Sequence, residues 1–200
     1  GWTGKMLNYP TEEQLIKNWA EILFNNNKGI DRLNGQPLTE GEMQQILDEI
    51  KDLRTPLAIN SFINGKSVSI TRDNPADTLH FGKEVSLTIY NRLEIASGRS
   101  FYQIARQPKF ERHSQILPKR RGDLVLLING MPVIHVELKS SKMPAMHAVN
   151  QITEKYIPEG VFTDSIFSLV QLFVAMNPEE TMYFANPGID GKFNKAFCFH

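Results

Sequence analysis

Between Arg121 and Lys139 two β-branched, aliphatic runs meet at Asn129-Gly130. Asn-Gly between such runs is a strong hairpin signal, because both residues tolerate positive φ. The rest of the chain arranges itself around this hairpin. Thr11 followed by Glu12 and Glu13 is a helix N-cap with acidic charge in the first turn. Leu15, Ile16, Trp19, Ile22 and Leu23 then recur at helical spacing as far as Asn25-Asn26-Asn27. Leu38-Thr39-Glu40 opens a second helix with Met43, Ile46, Leu47 and Ile50 as its core face. Pro56 to Arg72 reads as a hairpin turning at Asn64-Gly65. Val85–Tyr90 and, after a turn at Ser97-Gly98, Phe101–Arg106 read as strands of the sheet that supports the central hairpin. Lys109 to Arg121 is polar and basic, a loop in which His113 reads as a surface residue. Met143 to Tyr156 reads as a helix with Met146, Val149 and Ile152 on its apolar side, and Ile166–Leu169 continues in helix. Gln171–Met176 is a buried strand, paired with Thr181–Asn186 across Asn177-Pro178.

Charges stand where a fully buried hairpin would have none. Glu137 and Lys139 share one face of their strand, leaving Val136 and Leu138 to face a core. With a loop of Asn129-Gly130-Met131, Ile128 opposes Pro132 and Asp123 opposes Glu137. Opposed Cβ atoms lie about 4.5–5.5 Å apart, so two such carboxylates repel unless a cation sits between them. Their oxygens suit a hard cation such as Mg2+. A lysine beside a metal-bound water can orient it or stabilise negative charge. By spacing alone, an ordinary amphipathic hairpin with an outward Glu-x-Lys pair fits as well.

Composition narrows the setting. Two hundred residues, 41% of them hydrophobic, suit one α/β domain with a real core. Formal net charge is zero, which argues against a generally basic nucleic-acid binder. The distribution is uneven. Arg99 to Lys142 holds nine basic and three acidic residues, a local excess of six positive charges around the hairpin. Up to Arg54 six basic face nine acidic residues. Cys198 is the only cysteine, which fits a reducing, cytoplasmic setting and excludes an internal disulfide framework. No apolar run reaches membrane-spanning length. Gly65-Lys66-Ser67 looks like the end of a phosphate-binding loop, but the glycine needed five residues earlier is Asn60, so no ATP site is expected here. Gly1-Trp2 is no natural initiator and His200 ends in mid-element, so a piece of a longer chain is expected.

Asp123, a hairpin, then Glu137-Leu138-Lys139 resembles the PD-(D/E)xK nuclease signature. The longer string from Asp123 to Lys139 resembles the N-terminal nuclease domain of the restriction (R, or HsdR) subunit of type I restriction-modification enzymes. In that family the hairpin runs roughly Asp-x-Val-x-x-x-Asn-Gly-x-Pro-x-x-x-x-Glu-x-Lys, and every position matches. Gly122 stands where a proline precedes the motif aspartate. The segments Gln171–Val174 and Tyr183–Asn186 also resemble R subunits, so the resemblance covers about Thr78 to Asn186.

The resemblance implies an α/β restriction-endonuclease-like PD-(D/E)xK core. A mixed central sheet is flanked by helices, with an N-terminal helical segment over residues 1–55 packed on a core over 56–200. It implies Mg2+-dependent endonucleolytic cleavage of double-stranded DNA, with Mn2+ as a substitute. Asp123, Glu137 and Lys139 would be catalytic. Asp123, Glu137 and the Leu138 carbonyl would bind the metal. An N-terminal helix in the family can carry a further acidic residue, here Glu13 or Glu21, each of which also reads as a solvent-facing charge. A family Gln-x-x-x-Tyr motif would begin at Gln151, yet four residues on stands Lys155 and the tyrosine is Tyr156. Either the motif is shifted by one or Lys155 replaces it. Arg121, Lys142, Gln151 and Tyr156 are candidates for supporting the site or touching DNA. The implied partners are methyltransferase (M) and specificity (S) subunits, with ATP-driven motor domains in the full-length subunit and ATP not bound by this chain. Rival readings are a PD-(D/E)xK nuclease of another restriction or repair system, and a nuclease-like domain that only binds DNA or a partner.

Overall fold

The structure, a computed structural model, describes residues 2–64, 67–89, 100–111, 114–189 and 191–200. Gly65, the turn at Ser97-Gly98, Tyr90 and His113 lie outside the described residues.

Six strands form one mixed sheet: β1 (Trp2–Asn8), β4 (Tyr102–Arg106), β7 (Leu124–Ile128), β8 (Met131–Leu138), β9 (Leu172–Met176) and β10 (Thr181–Ala185), in the order β1-β4-β7-β8-β9-β10. β1 runs parallel to β4 and β8 parallel to β9; the other neighbours are antiparallel. A parallel pair needs a crossover connection. Between β8 and β9 it is a helical segment comprising α4 (Met146–Gln151), a π-turn (Ile152–Tyr156) and a 3-10 turn (Ile166–Leu169). The mixed sheet with flanking helices is the expected fold class. The first 55 residues are not purely helical, however: β1 joins the main sheet, which no periodicity had indicated.

Both N-terminal helices form where expected. α1 (Glu12–Asn27) starts at Thr11 and α2 (Glu40–Lys51) at Thr39; each threonine makes a capping box, with Gln14 and Glu42 respectively. Leu15, Trp19 and Leu23 of α1 and Met43, Ile46 and Ile50 of α2 are buried in one continuous core with the sheet. Buried Asn27 ties α1 to β3 (Glu84–Thr88), accepting from the Thr88 N–H at 2.8 Å and donating to its carbonyl at 3.0 Å.

Two expectations fail here. Pro56 to Arg72 is not a hairpin: Pro56–Ile63 is helix α3, followed by strand β2 (Ser67–Thr71). Thr55 caps α3, Pro56 occupies its first turn, and Ile59, Phe62 and Ile63 form its buried face. Proline with a preceding threonine is a helix-start signal, and it outweighs the β propensity of the isoleucines. The expected strand at Val85 also exists, but it pairs with β2 in a separate two-stranded sheet and does not join the main one. The 109–121 segment is mostly loop as expected, closed by the short strands β5 (Lys109–Phe110) and β6 (Arg120–Arg121).

The central hairpin turns on Asn129 and Gly130, both at positive φ (50° and 85°). The loop has two residues, so Ile128 opposes Met131 and not Pro132. A bulge between Leu126 and Leu127 then shifts the register, and Leu124 opposes Val136. One step further along, Asp123 lies across from Glu137. The expected opposition at the motif residues thus arises through a bulge instead of a longer loop. Gly130 is also pressed against α1, where a Cβ would lie 2.9 Å from the Trp19 Cα.

Candidate active site

Asp123 lies immediately before β7, and Glu137 and Lys139 lie at the end of β8, where a central strand passes under the crossover helix. Glu137 is 2% exposed and His135 fully buried, while Leu138 is 41% exposed. Leu138 was expected to face the core with Val136, and only Val136 does so. β8 pairs with β7 and β9 along its two edges, and the crossover residues Gln151 and Tyr156 cover the face that carries Glu137. The motif glutamate therefore enters a buried face, and the strand's end, not its outer face, opens to solvent.

One hydrogen-bond network joins the expected residues. Asp123 Oδ2 accepts the Leu138 N–H at 2.8 Å. Lys139 Nζ donates to Gln151 Oε1 at 2.7 Å and stands 3.6 Å from Glu137 Oε1. The Gln151 amide nitrogen donates to Glu137 Oε1 and to the Tyr156 hydroxyl. That hydroxyl lies 3.1 Å from the Arg121 carbonyl and 3.3 Å from Glu137 Oε1. Burial pushes the Asp123 carboxyl up, and neighbouring Glu137 adds to this; the Leu138 N–H and Lys139 oppose it. Burial, reinforced by Glu137, likewise pushes the Tyr156 phenol well above its ordinary value, so it stays a neutral donor.

Backbone geometry brings Gln151 and Tyr156 together. Residues 152–156 form a π-turn, with the Ile157 N–H bonded to the Ile152 carbonyl at 2.9 Å. A π-turn places residues five apart where an α-helix places those four apart. Gln151 and Tyr156 consequently meet despite the extra residue, and Lys155 is exposed. The signal lay in the sequence only as a motif one residue too long.

Other expected residues stand apart. Glu13 pairs with Lys17 at 2.7 Å on the surface of α1, and Glu21 is exposed. No third Asp, Glu, His or Cys joins Asp123 and Glu137 in a metal-binding group among the described residues. Lys142 is exposed in the turn after β8, and Arg121 is exposed on β6.

Sequence reasoning passed over His135. Its ring lies among Phe110, Tyr156, Phe162 and Phe173. Its Nε2 is 3.3 Å from Glu137 Oε2, close enough for an ion pair but without hydrogen-bond geometry, and neither ring nitrogen nor that oxygen has a hydrogen-bond partner among the described residues. The ring also accounts for Gly122. A Cβ there would stand 2.8 Å from His135 Cε1 and 2.8 Å from Phe110 Cζ. We expect Gly122→Ala to destabilise the chain by about 1–3 kcal/mol through overpacking. In a His135→Ala background the cost should shrink. Urea unfolding of the four chains gives the coupling, and equal costs in both backgrounds would show that the histidine is not the obstacle.

The donor set fits a hard divalent cation. Glu137 Oε2 is a buried carboxylate oxygen without a hydrogen-bond donor among the described residues, and Asp123 is a carboxyl whose ionised form burial and Glu137 disfavour. Both are oxygen ligands of the kind such ions take.

Comparison with known proteins identifies the family. The family model described as type I restriction enzyme R protein N terminus matches residues 5–191. The chain is 29% identical to the type I restriction enzyme SsaAORF53P endonuclease subunit of Staphylococcus saprophyticus, over 94% of this chain and 18% of that protein. It is 40% identical to the EcoprrI endonuclease subunit of Escherichia coli over 33% of this chain and 21% of that one. A putative type I restriction enzyme endonuclease subunit of Methanocaldococcus jannaschii, MjaVIIIP, is 27% identical over 93% of this chain and 19% of its own length. The chain thus spans about a fifth of the curated relatives it matches. A match across nearly its whole length, together with a six-stranded mixed sheet compatible with a restriction-endonuclease-like fold, places the chain in the type I restriction enzyme R protein family, in the region that family names its N terminus.

Proposed function

We propose that this chain hydrolyses phosphodiester bonds of double-stranded DNA, as the PD-(D/E)xK nuclease part of a type I restriction subunit, with Mg2+ as cofactor and Mn2+ as a substitute. The observation that carries the reading is Glu137: a buried carboxylate held on one oxygen by Gln151, with no hydrogen-bond donor to the other among the described residues, beside Asp123 and Lys139. Asp123, Glu137 and the Leu138 carbonyl would hold the cation, which would supply polarisation of the scissile phosphate and a more acidic water. Lys139 would orient the attacking water and stabilise charge developing on the phosphate oxygens. Gln151 fixes both Lys139 and Glu137, since its carbonyl accepts from one while its amide donates to the other. Tyr156 in turn holds the Gln151 amide in that sense.

The chain offers phosphate contacts, which position DNA without reading its sequence. Target recognition then belongs to a specificity subunit, modification to a methyltransferase subunit, and ATP-driven translocation to motor domains of the full-length protein, in the cytoplasm. No helix among the described residues is long and apolar enough to cross a membrane.

The direct test is metal binding. Titrated with Mn2+ and followed by electron paramagnetic resonance, the chain should bind one ion, and Asp123→Asn should weaken binding at least tenfold. Unchanged affinity in that variant would remove Asp123 from the site and the reading with it.

A further inference from the structure

Beside the carboxylates lies a cleft of about 930 Å³ that the reading above does not use. The β5–β6 ladder forms one wall and Tyr156 reaches into it. Lys109 and Arg121 are direct cross-strand partners, and Lys119 lines the same cleft. Like charges directly opposite on a ladder are destabilising, so this pairing calls for an anion. Arg120 is taken by Glu159, at 2.7 and 2.6 Å, while the neighbouring Arg121 has no ion pair among the described residues. Glu111 also lines the cleft, but no ion pair joins it to Lys109, Lys119 or Arg121 among the described residues. Three exposed cations against one carboxylate leave the cleft positive.

The cleft and the site share Tyr156. That residue lines the cleft, and its hydroxyl lies within hydrogen-bonding distance of the Arg121 carbonyl and Glu137 Oε1. Tyr156 therefore links the cleft that Lys109, Lys119 and Arg121 line to the motif carboxylates.

We propose that Lys109, Lys119 and Arg121 form a phosphate subsite that grips the DNA strand next to the phosphate being cut, while Arg120 serves the fold. The proposal rests on the nuclease reading. It assigns a direction to the DNA path: out of the carboxylate site, past Tyr156, and along the β5–β6 ladder. Removing one phosphate-binding cation should lower the slope of log affinity against log salt by about one unit.

The test is anisotropy of a fluorescent duplex titrated with the chain over a range of salt, without divalent cation. Lys109→Gln/Lys119→Gln/Arg121→Gln should weaken binding at least tenfold at low salt and flatten the slope by about two to three units. Lys119→Gln alone, which leaves the β5–β6 pair intact, should flatten it by about one. Lys192→Gln/Lys195→Gln, which removes as much charge per site beside β10, should bind within twofold of the parent. An unchanged slope in the triple variant, equal loss in the β10 control, or no duplex binding by the parent would each overturn the subsite. Mn2+ binding and cleavage measured on Asp123→Asn fail separately if the nuclease reading is wrong, since the subsite does not touch the metal.

Discussion

Lys139→Ala should lower DNA cleavage by about 10²–10³-fold, the loss typical of removing one preorganised donor from a transition state. The backbone at Lys139 continues the β8–β9 ladder, donating to the Met176 carbonyl at 2.8 Å, and the substitution leaves that bond in place. The side chain meets Gln151 and Glu137. Its loss leaves the Gln151 carbonyl without that donor, a cost of about 1 kcal/mol at a partly exposed position. Thermal stability should therefore move by only a few degrees while activity collapses. Under the proposed function, the same measurement on the full-length subunit should show cleavage reduced to that extent with the ATP hydrolysis and assembly proposed for it kept. Mn2+ binding by the 200-residue chain should remain within a few-fold of the parent, because Asp123 and Glu137 keep their places. Cleavage surviving at parental rate would mean that Lys139 does not act on the reacting atoms.

The second large effect concerns a cluster far from the motif residues in sequence. Arg72 is fully buried and ion-paired with Glu42 and, at 3.0 Å, with Asp77, both also buried. Its guanidinium further reaches the Gln36 carbonyl at 3.0 Å. Glu42 accepts from the Thr39 N–H at 3.0 Å and the Asp73 N–H at 2.8 Å. One arginine thus binds α2, the 33–37 turn and the 72–77 segment together. Arg72→Met should cost about 3–5 kcal/mol, because two carboxylates stay buried without their cation. Chemical denaturation at neutral pH measures it, and a loss under about 1 kcal/mol would show that water or rearrangement compensates.

The same cluster predicts a pH dependence. Burial alone would raise the Asp77 carboxyl, but bonds from Arg72, Asn34 and His80 outweigh it and hold the pKa at about 2. An unfolded aspartate titrates near 3.9, so its stabilising contribution is fully present above about pH 4. It is lost as pH falls through about 2. Unfolding curves from about pH 5 to about pH 2 should show this loss in the parent, and Asp77→Asn should lose part of it.

Much of this was legible because it depends on neighbours in sequence. Threonine caps, helical spacing in α1 and α2, and the Asn129-Gly130 turn are local signals, and each element stands where they put it. The motif string from Asp123 to Lys139 also survived translation into space, although the hairpin reached its register through a bulge. Local signals misled where two of them competed. The stretch Leu57–Ile63 carries strand-forming isoleucines behind a helix-starting Thr55-Pro56, and the cap prevailed once Ile59, Phe62 and Ile63 had a core to bury against.

The sequence by itself determined the family, the order of most elements, and which carboxylates and lysine stand at the ends of the central hairpin. Tertiary structure decided how those groups are held. Glu137 faces inward because the crossover residues cover that face of its strand, and no alternation of residues within β8 records that cover. Gln151 meets Tyr156 only because the helix takes a π-turn, which absorbs one residue of spacing through contacts made elsewhere. Arg72 finds Glu42 and Asp77 only after three segments have packed. Local backbone preference can be read from adjacent residues. Burial, register across a bulge and the meeting of distant charges are properties of packing, and packing is a matter of the whole chain.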